Sequence, residues 1–176
     1  MKNVLTILFS LFTLVSNGQD YCREVKKEVA NLTTFTYSSP FDSTKIPSVK
    51  INRSYSIDSD LAFDNFVITL QIVSELQPFY VKNPHGDGEN DPKKLTIDFE
   101  DKTRISDTSI SISYEINNED QTVTRSVFIN LDESNLKSFA NKKMSGFAFG
   151  GVQKILNPDT ANAYLGYIKC MHNAKK

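Results

Sequence analysis

The sequence predicts an α+β protein that is predominantly antiparallel β: a sandwich or partly closed barrel of about eight strands, with a C-terminal helix and a short N-terminal helix. Apolar and polar residues alternate in most segments after Val49, which is the period of a half-buried strand. The last segment repeats its apolar residues every three or four positions instead, which is the period of a helix. Strands that follow one another without intervening helices indicate antiparallel sheets and exclude a parallel α/β fold.

The first 18 residues have the layout of a secretory signal peptide. Lys2 precedes an apolar run over residues 4–15, and the small residues Ser16 and Gly18 stand before Gln19. About 12 apolar residues rise about 18 Å as a helix, too little for a bilayer core of about 30 Å, so a membrane anchor is disfavoured. Cleavage after Gly18 then leaves residues 19–176 as a single globular β-rich domain. We expect it to be periplasmic or extracellular, with no membrane span after processing.

Two elements are predicted at the start of this domain. Tyr21, Val25, Val29 and Leu32 recur at spacings of four, four and three, which predicts a short amphipathic helix over residues 20–32. Residues 33–37 are all β-branched or aromatic and predict a strand.

The central segments alternate with a period of two. Residues 49–57 predict a half-buried strand, and residues 66–73 are apolar on both sides, which indicates a central strand. Residues 95–99 predict a strand that returns through residues 104 and 105 as a hairpin. Residues 110–116 and 123–131 form the clearest predicted hairpin.

Caps and turns define the remaining elements. Asp132 caps a short helix, and Gly150 and Gly151 connect two strands because glycine readily takes the positive φ angles of a tight hairpin turn. Asn157 caps the C-terminal helix, and Pro158 occupies its first turn. The apolar stripe of this helix consists of Ala161, Tyr164, Leu165, Ile168 and Met171.

Composition and charge limit the function. The chain of 176 residues is 39% hydrophobic with a formal net charge of −1, so it is neither disordered nor basic enough to bind nucleic acid through its charge. It carries no catalytic or cofactor-binding signature, and its two histidines are His85 and His172. We therefore expect no cofactor and a non-enzymatic binding or structural domain. Its partner would be a protein, peptide or cell-envelope component, bound through a sheet face or connecting loops.

Two alternative functions remain open. Asp98 and Glu100 project from one face of a predicted strand, and paired carboxylates serve hydrolases, although a solvated strand looks the same. A partly closed barrel could instead carry an apolar ligand in its interior.

Three further groups of residues bear on binding or on stability. Asp87, Glu89 and Asp91 alternate in a polar loop and offer calcium-ligating oxygens, but the complete twelve-residue calcium loop is absent. The aromatic residues expected to be partly exposed are Tyr37, Tyr55, Phe79 and Tyr80.

The two cysteines, Cys22 and Cys170, are the third group. In an oxidising compartment they either form a bridge across 148 residues or lie apart as buried thiols. The chain-entropy model assigns such a bridge roughly 4 to 5 kcal/mol. A lipid anchor on Cys22 is disfavoured because Gln19, Asp20 and Tyr21 are not small.

The C-terminal half resembles small exported bacterial β-rich proteins of unassigned function. The resemblance rests on the strand 95–101, which closes on an acidic turn, on the segment 132–139, and on the helix 164–170, which ends at a cysteine. Such proteins commonly have glycine in the acidic turn, where this chain has Lys102. The resemblance implies an exported domain but assigns no activity and no functional residue.

Overall fold

The computed structural model describes residues 21–29, 33–40, 48–75 and 93–174, which form ten strands in two antiparallel sheets. The strands are β1 (Lys26–Val29), β2 (Thr34–Ser38), β3 (Ser48–Ser56), β4 (Asp64–Glu75), β5 (Leu95–Phe99), β6 (Arg104–Asp107), β7 (Ile112–Asn117), β8 (Thr122–Leu131), β9 (Met144–Phe149) and β10 (Val152–Ile155). The α-helices are α1 (Tyr21–Glu24), α2 (Glu133–Asn141) and α3 (Pro158–Asn173), and a short 3₁₀ turn covers Ser59–Leu61.

The strands are arranged as an open six-stranded sheet and an open four-stranded sheet. Their orders are β1-β2-β3-β4-β8-β7 and β10-β9-β5-β6, and every pairing is antiparallel. The predicted fold class is therefore confirmed: the described chain is mainly antiparallel β with a C-terminal helix and a short N-terminal helix. Since neither sheet closes on itself within the described ranges, the barrel alternative does not apply.

One hydrophobic core is shared by the two sheets and helices α2 and α3. Because neighbouring side chains on a strand point to opposite faces, each long strand contributes every second residue to this core. We call the side of the six-stranded sheet that packs against it the inner face. The core residues of β4, β5, β9 and α3 are Phe66, Ile68, Leu70, Ile72, Leu95, Ile97, Phe99, Met144, Phe147, Phe149, Ala161, Tyr164, Ile168 and Met171.

The predicted caps are present. Asp132 accepts a hydrogen bond from the backbone N–H of Asn135 (2.7 Å), and Asn157 accepts one from the N–H of Thr160 (2.7 Å). Gly150 and Gly151 have φ angles of 56° and 72°, as the tight turn between β9 and β10 requires.

The N-terminal helix is shorter than the predicted helix over residues 20–32. It ends at Glu24, and residues 26–29 form strand β1, in which Val29 pairs with Phe35 of β2. Val25 packs against the core whereas Val29 is 57% exposed, so the two residues do not share one buried helical stripe. Pairing with β2 supplies the backbone hydrogen bonds that a helix would otherwise have made, and it outweighs the helical spacing.

Arg53 connects the C-terminal helix to the six-stranded sheet through hydrogen bonds. Its side chain is 7% exposed, and it donates two hydrogen bonds of 3.0 Å to the carboxylate of Asp64. Its Nη1 atom also donates to the backbone carbonyls of Met171, His172 and Ala174 at the end of α3. These carbonyls have few partners within a helix and carry the negative end of its dipole, so a buried guanidinium stabilises them.

We expect Arg53→Met to lower the free energy of unfolding by about 3 kcal/mol, because it removes a charged donor from Asp64 and from the helix carbonyls. Urea denaturation followed by circular dichroism measures the change. Arg104→Met is the matched control, since Arg104 forms an ion pair with Asp98 but its side chain is 62% exposed. If the urea midpoints of Arg53→Met and Arg104→Met were equal, Arg53 would not stabilise the protein through Asp64 and the helix carbonyls.

Helix α1 is attached to helix α3 by a disulfide bridge, a ring contact and a hydrogen bond, which we together call the disulfide clamp. The sulfur atoms of Cys22 and Cys170 lie at bonding distance, with the two Cα atoms 5.4 Å apart, so the structure has the bridged form of the two sequence interpretations. The ring of Tyr21 lies edge-on to that of Tyr167, with 5.4 Å between centroids. The Tyr167 hydroxyl is hydrogen-bonded to the carboxylate of Glu24, and burial together with this carboxylate raises the pKa of Tyr167.

Gly166 makes room for this clamp. A Cβ atom at this position would lie 2.0 Å from Cδ2 of Tyr21. Glycine in the middle of a helix normally costs about 0.5 to 1 kcal/mol relative to alanine, so a helix considered alone would gain from the substitution. Here the ring of Tyr21 occupies the space that the methyl group needs.

We expect Gly166→Ala to destabilise the oxidised protein by about 1 to 3 kcal/mol, because the methyl group collides with the Tyr21 ring. In the Tyr21→Ala background the same substitution should be neutral or stabilising, since the ring is gone. Thermal denaturation of the four proteins in this cycle measures the coupling. Equal effects of Gly166→Ala in both backgrounds would contradict the contact.

The hydroxyl of Tyr164 is buried in the core and, within the described part of the chain, has no hydrogen-bond partner. Burial raises the pKa of this group well above its usual value. We therefore expect Tyr164→Phe to leave the free energy of unfolding unchanged or to raise it by up to about 1 kcal/mol, because the desolvated hydroxyl is removed. Chemical denaturation tests this. A loss of more than about 1 kcal/mol would show that the hydroxyl has a partner.

Candidate binding face

The side of the six-stranded sheet that points away from the core is a continuous surface of mostly uncharged polar residues. The strand register fixes its composition: Asn52 of β3 pairs with Val67 of β4, which pairs with Asn130 of β8. The next row contains Lys50, Thr69 and Phe128. We call this surface the outer face; on β2, β3, β4 and β8 it consists of Thr34, Thr36, Ser38, Lys50, Asn52, Ser54, Ser56, Asn65, Val67, Thr69, Gln71, Val73, Glu75, Thr122, Thr124, Ser126, Phe128 and Asn130.

The outer face bears Lys26, Glu28 and Glu115 on its edge strands β1 and β7, and little charge on the four strands between them. Lys50 and Glu75 are its two charged residues on these four strands, and their charges cancel. The charged side chains of β3 and β4 near the helix, Arg53 and Asp64, are directed to each other on the inner face. A ligand that depends on strong charge attraction therefore does not fit this surface.

Phe128 is the exception to the polar composition. Its side chain is 62% exposed although it lies on β8, between β4 and the edge strand β7 in the sheet order. Strand β7 begins at Ile112, opposite Val127, so Phe128 lies just beyond the end of the β7 pairing. The ring thus stands on the outer face without cover from that strand.

The polar side chains around this ring are closely packed. Thr69, directly opposite Phe128, is 6% exposed, and Ser126, two residues before it, is 8% exposed. The amide nitrogen of Gln71 donates a hydrogen bond of 3.0 Å to the hydroxyl of Ser126. This packing and hydrogen bonding restrict the side chains, so the surface is largely formed before a ligand arrives.

The carboxylates proposed for a hydrolase are each engaged by a separate cation. Asp98 lies on β5, with its Oδ1 atom 2.6 Å from Nε of Arg104 on the neighbouring strand β6. Glu100 lies in the turn after β5, with its Oε1 atom 2.9 Å from Nζ of Lys143. These ion pairs fix the hairpin and the adjoining segment, and they support a structural role for both carboxylates.

The turn between β5 and β6 is held by its own side chains. Asp101 accepts hydrogen bonds from the backbone and hydroxyl of Thr103, and these bonds together with Lys142 lower the pKa of Asp101 to about 2. Lys102 has a φ angle of 67°, in the left-handed region. Glycine takes that conformation without strain, whereas a residue with a Cβ atom such as lysine rarely does.

The calcium and histidine candidates of the polar loop lie outside the described residues. This applies to His85, Asp87, Glu89 and Asp91, and also to the aromatic candidates Phe79 and Tyr80. Among the residues that are described, no group of three or more histidine, cysteine, aspartate or glutamate side chains could hold a metal ion. None of the described helices combines the length and apolar character that a membrane crossing requires.

Tyr37 and Tyr55 stack on the inner face: Tyr37 is half-buried, as expected, whereas the expected exposure of Tyr55 is wrong. Tyr55 is 2% exposed and lies between Tyr37, at 6.0 Å, and Phe35, at 5.4 Å between ring centroids. Nζ of Lys27 is 4.9 Å from the Phe35 centroid, and the guanidinium of Arg53 is 5.2 Å from that of Tyr55. The hydrogen bond with Tyr37, followed by burial, raises the pKa of Tyr55.

The interior between the sheets and helices is lined by large apolar side chains. Phe139, Phe147, Phe149 and Ile97 are each at most 1% exposed and belong to the same cluster. The carrier hypothesis stays a prediction.

Phe128 was not among the exposed aromatic residues expected from the sequence. A signal was present: on the hairpin strand 123–131 the apolar positions include Val123, Val127 and Ile129, so the ring of Phe128 falls on the opposite, polar side.

No protein-family model, curated protein or solved structure matches this chain. The resemblance of the C-terminal half to small exported bacterial proteins therefore stays a prediction.

Proposed function

We propose that this protein is an exported, non-enzymatic binding domain that holds a component of the cell envelope on the outer face of its six-stranded sheet. The single observation that carries the proposal is Phe128, an aromatic side chain that is 62% exposed on a surface of packed, uncharged polar residues. Isolated apolar residues are common on protein surfaces, but a ring fixed among preformed hydrogen-bonding groups is what a small recognition site requires.

Two features support export. The leader over residues 1–18 has the pattern of a signal peptide, and the Cys22–Cys170 bridge persists only where the environment is oxidising. A bridge at the two ends of the mature chain suits a protein that has to remain folded outside the cytoplasm. Asp98 and Glu100 form ion pairs with Arg104 and Lys143, which gives both carboxylates a structural role in the β5–β6 hairpin and the adjoining segment.

We expect the mature protein to sediment with cell-envelope material of its source organism, and Phe128→Thr to lower the affinity at least about tenfold, because the exposed ring is the central contact. Threonine preserves the strand preference of the position, so the fold is retained. The measurement is the fraction sedimented over a series of envelope concentrations.

Ile155→Thr is the matched control for this test. Ile155 is 77% exposed on the edge strand β10 of the other sheet, so the substitution removes similar apolar surface away from the outer face. We expect the control to sediment like the unmodified protein. Loss of affinity in both variants, or in neither, would overturn the assignment of the outer face.

A further inference from the structure

We infer that the ligand of the outer face is an uncharged polysaccharide whose sugar rings stack on Phe128 while their hydroxyls bind the neighbouring amides. The inference rests on the proposed function, because it names the occupant of that same face. Three observations carry it: the low net charge of the face, the position of the exposed ring among polar groups, and the placement of Asn52 and Asn130.

The charge of the outer face selects an uncharged occupant. Nucleic acids and acidic polysaccharides are bound through several lysine and arginine side chains, whereas the cations of this face on its six strands are Lys26 and Lys50. The acidic residues Glu28, Glu75 and Glu115 lie on the same face and offset them. Hydroxyl and amide groups dominate instead, and these groups match the hydroxyls of a neutral sugar in both donor and acceptor capacity.

The ring of Phe128 provides the apolar contact that hydroxyl groups alone cannot give. A sugar ring has C–H groups on its faces and hydroxyls around its rim, and the electron-rich face of an aromatic ring attracts such C–H groups. Thr69, which lies opposite Phe128 in the same row, is 6% exposed, so a ligand on Phe128 rests on a packed surface.

Asn130 and Asn52 lie where the rim hydroxyls of a stacked chain would be. Asn130 follows Phe128 by two residues on β8, which places it about 7 Å away on the same face. Asn52 lies in the same row as Asn130 but two strands away, a distance of about 10 Å, with Val67 between them. Asn130 is exposed and Asn52 is half-buried, so both amides are accessible from above the sheet. We therefore expect the polymer to cross the strands from β8 toward β3, so that the face contacts more than one of its sugar units.

A peptide fits this surface less well than a sugar polymer. Peptides usually gain affinity by adding a strand to an exposed sheet edge or by inserting side chains into pockets. Asn52 lies on β3, which is paired on both sides by β2 and β4, so its backbone hydrogen bonds are used by neighbouring strands. Phe128 pairs with β4 and lies beyond the end of β7. The contacts available here come from side chains above the sheet.

The test is sedimentation of the oxidised mature protein with insoluble cellulose, chitin, starch and β-1,3-glucan, and with acidic pectate as the charged comparison. We expect binding to at least one neutral polymer, with the same affinity at low salt and in molar sodium chloride, because no ion pairs are involved. Phe128→Thr should lower this affinity at least about tenfold and Asn130→Ala several-fold, whereas Phe128→Tyr, which retains the ring, should bind like the unmodified protein.

Ile155→Thr and the thermal denaturation midpoint of each variant control for misfolding. Binding to pectate alone, binding to no neutral polymer, or unchanged affinity in Phe128→Thr overturns the inference. Loss of envelope binding after the envelope is treated with protease also overturns it, because the occupant is then a protein. In each of these cases the proposed function stands if envelope sedimentation still depends on Phe128, and it falls if that dependence is absent.

Discussion

Arg53 joins three parts of the protein that are distant in the sequence: strand β3, the start of β4 and the C-terminal end of helix α3. A six-stranded sheet has to bury one of its faces, and here the part of the inner face near β3 is contacted by α3. Arg53 satisfies the carbonyls that end this helix, and Asp64 compensates its charge. The helix is thereby kept on the inner face of the sheet.

The disulfide clamp acts on the same helix from its other side. Cys170 of α3 is bonded to Cys22, and Gly166 leaves room for Tyr21, so helix α1, the last helix and strand β3 form one connected unit. The outer face of the same sheet is ordered by its own packing, since Thr69 and Ser126 are nearly buried and Ser126 accepts a hydrogen bond from Gln71. Surface groups that are already positioned lose less entropy when they bind a ligand.

The sequence contained enough information for the architecture but not for every element. Alternation identified β3, β4, β5 and the β7–β8 hairpin, because one side of each strand is buried, and Asp132 and Asn157 marked the helix starts through their capping side chains. Strand β1 was not predicted, since its burial pattern is exposed throughout and its spacing also suits a helix. The role of Gly166 depends on Tyr21, which is distant in sequence, and no local pattern reveals such a contact.

The candidate face was harder to predict because it depends on register. Asn52, Val67 and Asn130 are scattered through the sequence, and each of them alone resembles an ordinary solvated strand position. Antiparallel pairing of β3, β4 and β8 brings them into one row and places Phe128 in the next. A sheet face that serves only for solubility gains from charged side chains, which also protect against association. Uncharged hydroxyls and amides around an exposed ring provide less of that protection. A neutral ligand that covers them would account for this composition.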